Sequence, residues 1–187
     1  LPKKPDVLEW RVDFFEALGD TRHVLDTARA VRDRAGTIPV MFTRRSAKEG
    51  GEKIALPEAQ VVQLYVEVCA SRLVDLIDYE TANAVEDFRR LRAASRECGV
   101  ALIGSYHNFQ ATPEAAALGA KFALALELEA DIAKVAVIPK GPPDVLTLLG
   151  ATYDASQSLP IPLISMSMGP YGSLSRMVGF VYGSALT

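Results

Sequence analysis

VLEWRVD, residues 7–13, alternates apolar and charged side chains. In an extended strand, alternation puts Leu8, Trp10 and Val12 on one face and Glu9, Arg11 and Asp13 on the other. An open, doubly wound parallel sheet covers both faces with apolar helix surfaces, so three charges on one face would be costly there. A closed (β/α)8 barrel of the TIM type accepts them. Each of its strands has an outer face under helices and an inner face that reaches the active-site mouth at its C-terminal end. The stretch therefore favours the barrel.

Working outward, short apolar runs alternate with longer amphipathic stretches. The runs are Val7–Val12, Ile38–Thr43, Leu73–Asp78, Val100–Tyr106, Ala133–Ile138 and Ile161–Met166. Helices are predicted near 20–35, 57–70, 82–98, 113–129, 142–157 and 172–182, with Pro57-Glu58, Thr112-Pro113-Glu114 and Pro143-Asp144 as first-turn signals. Strands alternating with helices imply an α/β fold with a parallel sheet and right-handed crossovers. No linker or low-complexity segment interrupts 1–187, which reads as a single barrel domain. A barrel typically needs about 250 residues. The reading therefore expects a first strand and helix ahead of Leu1, a seventh strand at Gly183–Thr187, and further chain beyond it.

The composition, 49% hydrophobic and 23% charged with a net charge of -3, is that of an ordinary globular protein. It offers no electrostatic reason to expect nucleic acid or an anionic membrane as partner. No apolar run is long enough to span a bilayer. Cys69 and Cys98 lack metal-type spacing and read as buried thiols of a reducing, cytoplasmic protein.

Polar residues close several runs: Thr43-Arg44-Arg45, Asp78, Ser105-Tyr106-His107 and Ser165-Met166-Ser167. His107 is one of two histidines. A lone histidine is more often structural than catalytic, but the end of a barrel strand raises its standing. His23, on a predicted helix surface, keeps the bland reading. In ADIAKVAVIP, residues 130–139, Lys134 interrupts a β-branched run. Burying an unpaired ammonium costs several kcal/mol, and the usual relief is loss of its proton. Either Lys134 lies on an edge strand and points to water, or it is an inward amine able to attack a carbonyl. A closed barrel has no edge, which favours the second. Lysine with a positioned histidine suggests an imine followed by proton abstraction next to the activated carbon. FTRRSAKEGGE, residues 42–52, adds Arg45 and Glu49, and its glycines form no phosphate loop. SMGPYGSLSR, residues 167–176, brings Arg176, whose guanidinium fork suits a carboxylate; the same segment also reads as a flexible connection.

In order along the chain, EWRVD (9–13), FTRRSAKEGGE (42–52), VDLIDYE (74–80), IGSYHNF (103–109), ADIAKVAV (130–137) and SMGPYGSLSR (167–176) resemble the motifs of the type I 3-dehydroquinate dehydratase family. The resemblance implies a (β/α)8 barrel, a homodimer, and a reaction with no metal or organic cofactor. It implies conversion of 3-dehydroquinate to 3-dehydroshikimate in the shikimate pathway. Lys134 resembles the imine-forming lysine, and His107 the residue that takes the C2 proton and later protonates the departing C1 hydroxyl. Glu49 matches a glutamate near that histidine, and Asp78 the acid that orients its ring. Glu9, Arg11 and Arg45 match residues that bind substrate hydroxyls, and Arg176 the arginine that holds the substrate carboxylate. Tyr79 departs from the family, which more often has a small aliphatic residue there, as does Lys140, where a glutamine is often seen. Two other readings stand beside this one: another lysine-imine barrel enzyme such as a class I aldolase, and a catalytically silent barrel domain.

Overall fold

Lys134 lies on a strand with a hydrogen-bonded neighbour on each side. The computed structural model describes residues 4–187. The elements are β1 (Leu8–Arg11), α1 (Thr21–Ala35), β2 (Val40–Thr43), α2 (Glu58–Ser71), β3 (Leu76–Glu80), α3 (Val85–Cys98), β4 (Ala101–Asn108), α4 (Ala115–Glu127), β5 (Ile132–Val137), α5 (Pro142–Ser158), β6 (Leu163–Ser167) and α6 (Ser173–Val178). This is an α/β fold with six strands among the described residues; an eight-stranded closed barrel is not seen in them. Two compact units divide the chain, one built from Leu1–Tyr79 and Asn83–Leu102, the other from Glu80–Ala82 and Ile103–Thr187.

In the first unit, β1, β2 and β3 are parallel neighbours, with Arg11 opposite Thr43 and Thr43 opposite Asp78. One face carries Glu9, Arg11, Met41, Thr43 and Asp78. The other carries Trp10, Phe42 and Ile77, in line with the period-two reading of residues 7–13. That apolar face continues into the helices as a chain of edge-to-face rings. Trp10 meets Phe42 at 5.6 Å, Phe42 meets Tyr65 of α2 at 5.1 Å, and Tyr65 meets Tyr79 at 5.7 Å. Such pairs add about 0.5–1.5 kcal/mol each beyond the area they bury.

Tyr65 is fully buried, and burial pushes its phenol well above the ordinary value. Its hydroxyl accepts from the Arg44 backbone N–H at 2.7 Å and donates to the Asp78 carbonyl at 2.8 Å. The α2 side chain thereby joins the ends of β2 and β3. Tyr79, the departure from the family pattern, is also accommodated. Its hydroxyl donates to Glu58 at 2.8 Å, and Glu58 in turn is ion-paired with Arg44.

In the second unit, β4, β5 and β6 are parallel, with Ser105 opposite Lys134 and Lys134 opposite Ile164. Lys134 is therefore on the central strand of the three and only 8% exposed, so the edge-strand alternative falls. The β4 face turned away from Lys134 packs on α4: a Cβ added at Gly104 would stand 3.0 Å from the Ala125 methyl.

Some boundaries differ from expectation. α4 starts at Ala115, because the Thr112 hydroxyl donates to the Ile138 carbonyl at 3.1 Å instead of capping a helix. The stretch predicted as one helix at 172–182 is α6 followed by a 3-10 turn from Gly179 to Tyr182. A single bridge from Leu163 to Ser184 replaces the predicted seventh strand at Gly183–Thr187. Gly183 there turns the chain at φ 94°, and the Ser184 hydroxyl takes the Ser165 backbone N–H at 2.9 Å. Both cysteines are free; Cys69 is buried and its thiol is pushed up to about 12 by that burial, whereas Cys98 is half-buried.

Tyr65→Phe keeps the ring contacts but strips a buried amide and a buried carbonyl of their shared partner. A loss of about 2 kcal/mol in unfolding free energy is expected from urea titration. A change below about 0.5 kcal/mol would show that the hydroxyl does not join the strand ends.

Candidate functional site

The polar face of the first unit gathers at the C-terminal ends of its strands. Arg45 lies two residues after β2, and Glu49 lies on the short 3-10 turn Ala47–Glu49. Arg45 Nη2 donates to Asp78 Oδ1 at 2.8 Å, and Arg45 Nη1 stands 3.8 Å from Glu49 Oε2. All three residues are buried, at 3%, 0% and 6% exposure for Arg45, Asp78 and Glu49. One guanidinium thus serves two carboxylates that would otherwise repel each other and be costly to bury.

Arg11, at the end of β1, makes a two-pronged contact with Asp13. Its Nε donates to Oδ1 at 2.8 Å and its Nη2 to Oδ2 at 2.6 Å. The guanidinium also lies 5.1 Å from the centre of the Phe14 ring. That hydrogen bond raises the Arg11 pKa further. Asp13 experiences two opposed influences. Burial pushes its carboxyl up, but the Arg11 hydrogen bond and the backbone N–H groups of Glu52 and Arg45 outweigh it, and the net pKa is lowered. Glu9 is the exposed member of the set.

Tight backbone geometry holds the loop between β2 and α2. Gly51 N–H donates to the Ser46 carbonyl at 2.8 Å, and a Cβ at Gly51 would stand 2.0 Å from the Arg45 carbonyl oxygen. Only a residue with no side chain fits there. The loop after β6 repeats the device: a Cβ at Gly172 would stand 2.0 Å from the Ser167 carbonyl oxygen. Ser175 ties that turn down, accepting from the Ser167 N–H at 2.9 Å and donating to the Gly172 carbonyl at 2.8 Å. The segment carrying Arg176 is therefore a tied turn leading into α6, not a loose connection, and Arg176 itself is exposed on that helix.

Within the second unit, parity places His107 and Lys134 on one face. His107 lies opposite Ala136 and Ser105 opposite Lys134, so histidine and lysine are diagonal neighbours with Cα atoms about 8 Å apart. Ala136 and Ile164 share that face, and both are buried. Ser165 and Ser167 face the opposite way from Lys134. His23 sits on the exposed first turn of α1, its Nδ1 3.0 Å from the N-cap Asp20, a surface role as the sequence suggested.

The structure thus draws Arg45, Glu49 and Asp78 together, gives Arg11 a partner in Asp13, and aligns His107 with Lys134. Sequence reasoning left Asp13 and Tyr65 out of the site. Asp13 had a signal, since it shares the alternation of Glu9 and Arg11; Tyr65 had none. Among the described residues no group of three or more His, Cys, Asp or Glu is placed to hold a metal ion, and no helix is long and apolar enough to cross a membrane.

Because the Asp13 pKa lies below its ordinary value of 3.8, its ionised form stabilises the fold. That contribution is complete above the unfolded pKa and is lost as pH falls through the lower folded value. The stability difference between the parent and Asp13→Asn should be constant from about pH 8 to about pH 5 and shrink below about pH 4 in denaturation curves taken across that range. A difference independent of pH throughout would contradict the assignment.

The family model for Type I 3-dehydroquinase matches residues 1–187. A 3-dehydroquinate dehydratase of Albidiferax ferrireducens is 60% identical over 187 residues, spanning 100% of this chain and 71% of that protein. The crystal structure of 3-dehydroquinate dehydratase from Geobacillus kaustophilus superposes with a TM-score of 0.97 at 48% identity, covering 98% of this chain and 71% of that one. That of the type I enzyme from Clostridium difficile, solved with covalently modified comenic acid, gives a TM-score of 0.96 at 36% identity, covering 100% and 73%. This chain belongs to the type I 3-dehydroquinase family.

Proposed function

We propose that the protein is a hydro-lyase that converts 3-dehydroquinate to 3-dehydroshikimate in the shikimate pathway through an imine on Lys134. The observation that carries the reading is a lysine 8% exposed on an inner strand of its unit, sharing a face with His107, in a chain of this family.

The chemistry follows from what an imine does to its neighbours. Protons beside a ketone are weak acids, whereas an iminium carbon withdraws electrons far more strongly. The Lys134 amine adds to the C3 carbonyl and water leaves, giving the iminium. His107 removes the C2 proton, and the electron pair is held as an enamine. The enamine then expels the C1 hydroxyl, which His107 protonates as it departs as water, and hydrolysis of the remaining imine releases product and regenerates the amine. General acid–base assistance of this kind is worth roughly 10²–10⁴-fold.

Arg176 takes the substrate carboxylate, and Glu9, Arg11 and Arg45 bind its hydroxyl groups. Glu49 and Asp78 retain the roles beside the histidine that the family resemblance gives them. Holding the substrate in a reactive pose can supply up to about 7–11 kcal/mol of the barrier. No cofactor enters this scheme. The working enzyme is proposed to be a cytoplasmic homodimer with one complete (β/α)8 domain per subunit.

Incubation with 3-dehydroquinate should raise the ultraviolet absorbance of the conjugated enone product, and borohydride reduction during turnover should add substrate-derived mass at Lys134. Lys134→Ala should abolish both signals. His107→Ala should still be labelled by borohydride while its kcat falls roughly 10²–10⁴-fold. Label on a residue other than Lys134, or a normal rate in the histidine variant, would reject the mechanism.

A further inference from the structure

We propose that Asp13 is a positioning residue that latches the Arg45–Glu52 turn onto the end of β1 and aims both substrate-binding arginines of the first unit. The inference rests on the dehydratase reading for what those arginines bind. The latch itself stands on geometry alone.

Each carboxylate oxygen of Asp13 takes one guanidinium N–H and one backbone N–H. Oδ1 accepts from Arg11 Nε at 2.8 Å and from the Arg45 amide at 3.3 Å. Oδ2 accepts from Arg11 Nη2 at 2.6 Å and from the Glu52 amide at 3.0 Å. The two amides are the two ends of the turn that carries Glu49, and the turn is closed on itself by the Glu49 and Gly51 N–H groups on the Ser46 carbonyl. One carboxylate therefore spans the mouth of a rigid turn and grips it against β1. The same group fixes the plane of the Arg11 guanidinium through its two-pronged contact, leaving the remaining N–H groups for another acceptor.

Asp13 is 5% exposed as a residue and its carboxylate is shielded from water, so this grip is not a surface ion pair averaged over many rotamers. Nor is it replaceable by an amide. Asparagine has one acceptor oxygen and would turn an NH2 toward donors that need an acceptor.

Hydrogen exchange and steady-state kinetics on the whole protein test the proposal together. In the parent, the Arg45 and Glu52 amides should exchange slowly although both lie outside the helices and strands, and fast exchange there overturns the latch without need of a variant. In Asp13→Asn both amides should lose protection, KM for 3-dehydroquinate should rise roughly ten- to a hundredfold, and kcat should change by less than about threefold. Borohydride should still label Lys134 at saturating substrate. A loss confined to kcat, or an unchanged KM with deprotected amides, would show that Asp13 only supports the fold. If the parent does not dehydrate 3-dehydroquinate the functional reading fails, while the exchange data still decide the latch.

Discussion

The contact between Arg45 and Asp78 sets the terms for the first unit. Both groups are sealed from water. Such a pair is weak evidence for stability, because removing two ions from water costs about as much as their attraction returns. Breaking it is another matter, since the surviving buried charge would lose its nearest counter-ion at a cost of roughly 3–5 kcal/mol. The neighbourhood reads as a set of answers to that cost. Glu49 stands on the other side of the guanidinium, and Gly51 lets the chain pass against the Arg45 carbonyl, bringing the turn back under it. Tyr65 holds the backbone on either side of the pair, at the Arg44 N–H and the Asp78 carbonyl. A hydrophobic trio would fill the same space with less effort. Retention of ions there is what a site needs and a core does not.

Much of this was legible in the chain, and the reasons divide cleanly. Alternation in residues 7–13 has a fixed geometric meaning, so the two faces of β1 followed from it directly, and with them the apolar rings on one side and the charges on the other. Pro57 and Pro143 marked helix starts for a local reason, their preset φ, and α2 and α5 begin within a residue of them. Lys134 was legible because an ammonium inside a β-branched run has few places to go. Long-range partners were not legible. Asp13 reaches amides 32 and 39 positions away, and Tyr65 bridges strand ends from a helix. No local pattern encodes such contacts. Nor does the segment's sequence reveal the constraint at Gly51, a carbonyl 2.0 Å from any added Cβ, a distance set by how the loop closes. Thr112 carried a capping signal and spent its hydroxyl on Ile138 instead.

Charge divides the proposed roles in a way that follows from elementary electrostatics. The polar residues of the first unit set Glu9, Asp13, Glu49 and Asp78 against Arg11 and Arg45, a surplus of negative charge. Such a set suits hydroxyl groups, which both donate and accept, and would repel a carboxylate. The candidates in the second unit are Lys134, His107 and Arg176, and none of them is acidic. Under the proposed function, the hydroxyl-bearing end of the substrate suits the first unit's set, and a carboxylate placed there would stand among carboxylates. Each like-charge contact of that kind, shielded from water, costs several kcal/mol, enough to fix orientation before any covalent step begins. In the proposed mechanism orientation must precede chemistry, because an amine that attacks a carbonyl is selective only if one carbonyl is presented to it. On the proposed reading the charges around Arg45 select which end of a ligand the first unit accepts, in addition to the parts that Glu49 and Asp78 play in the chemistry.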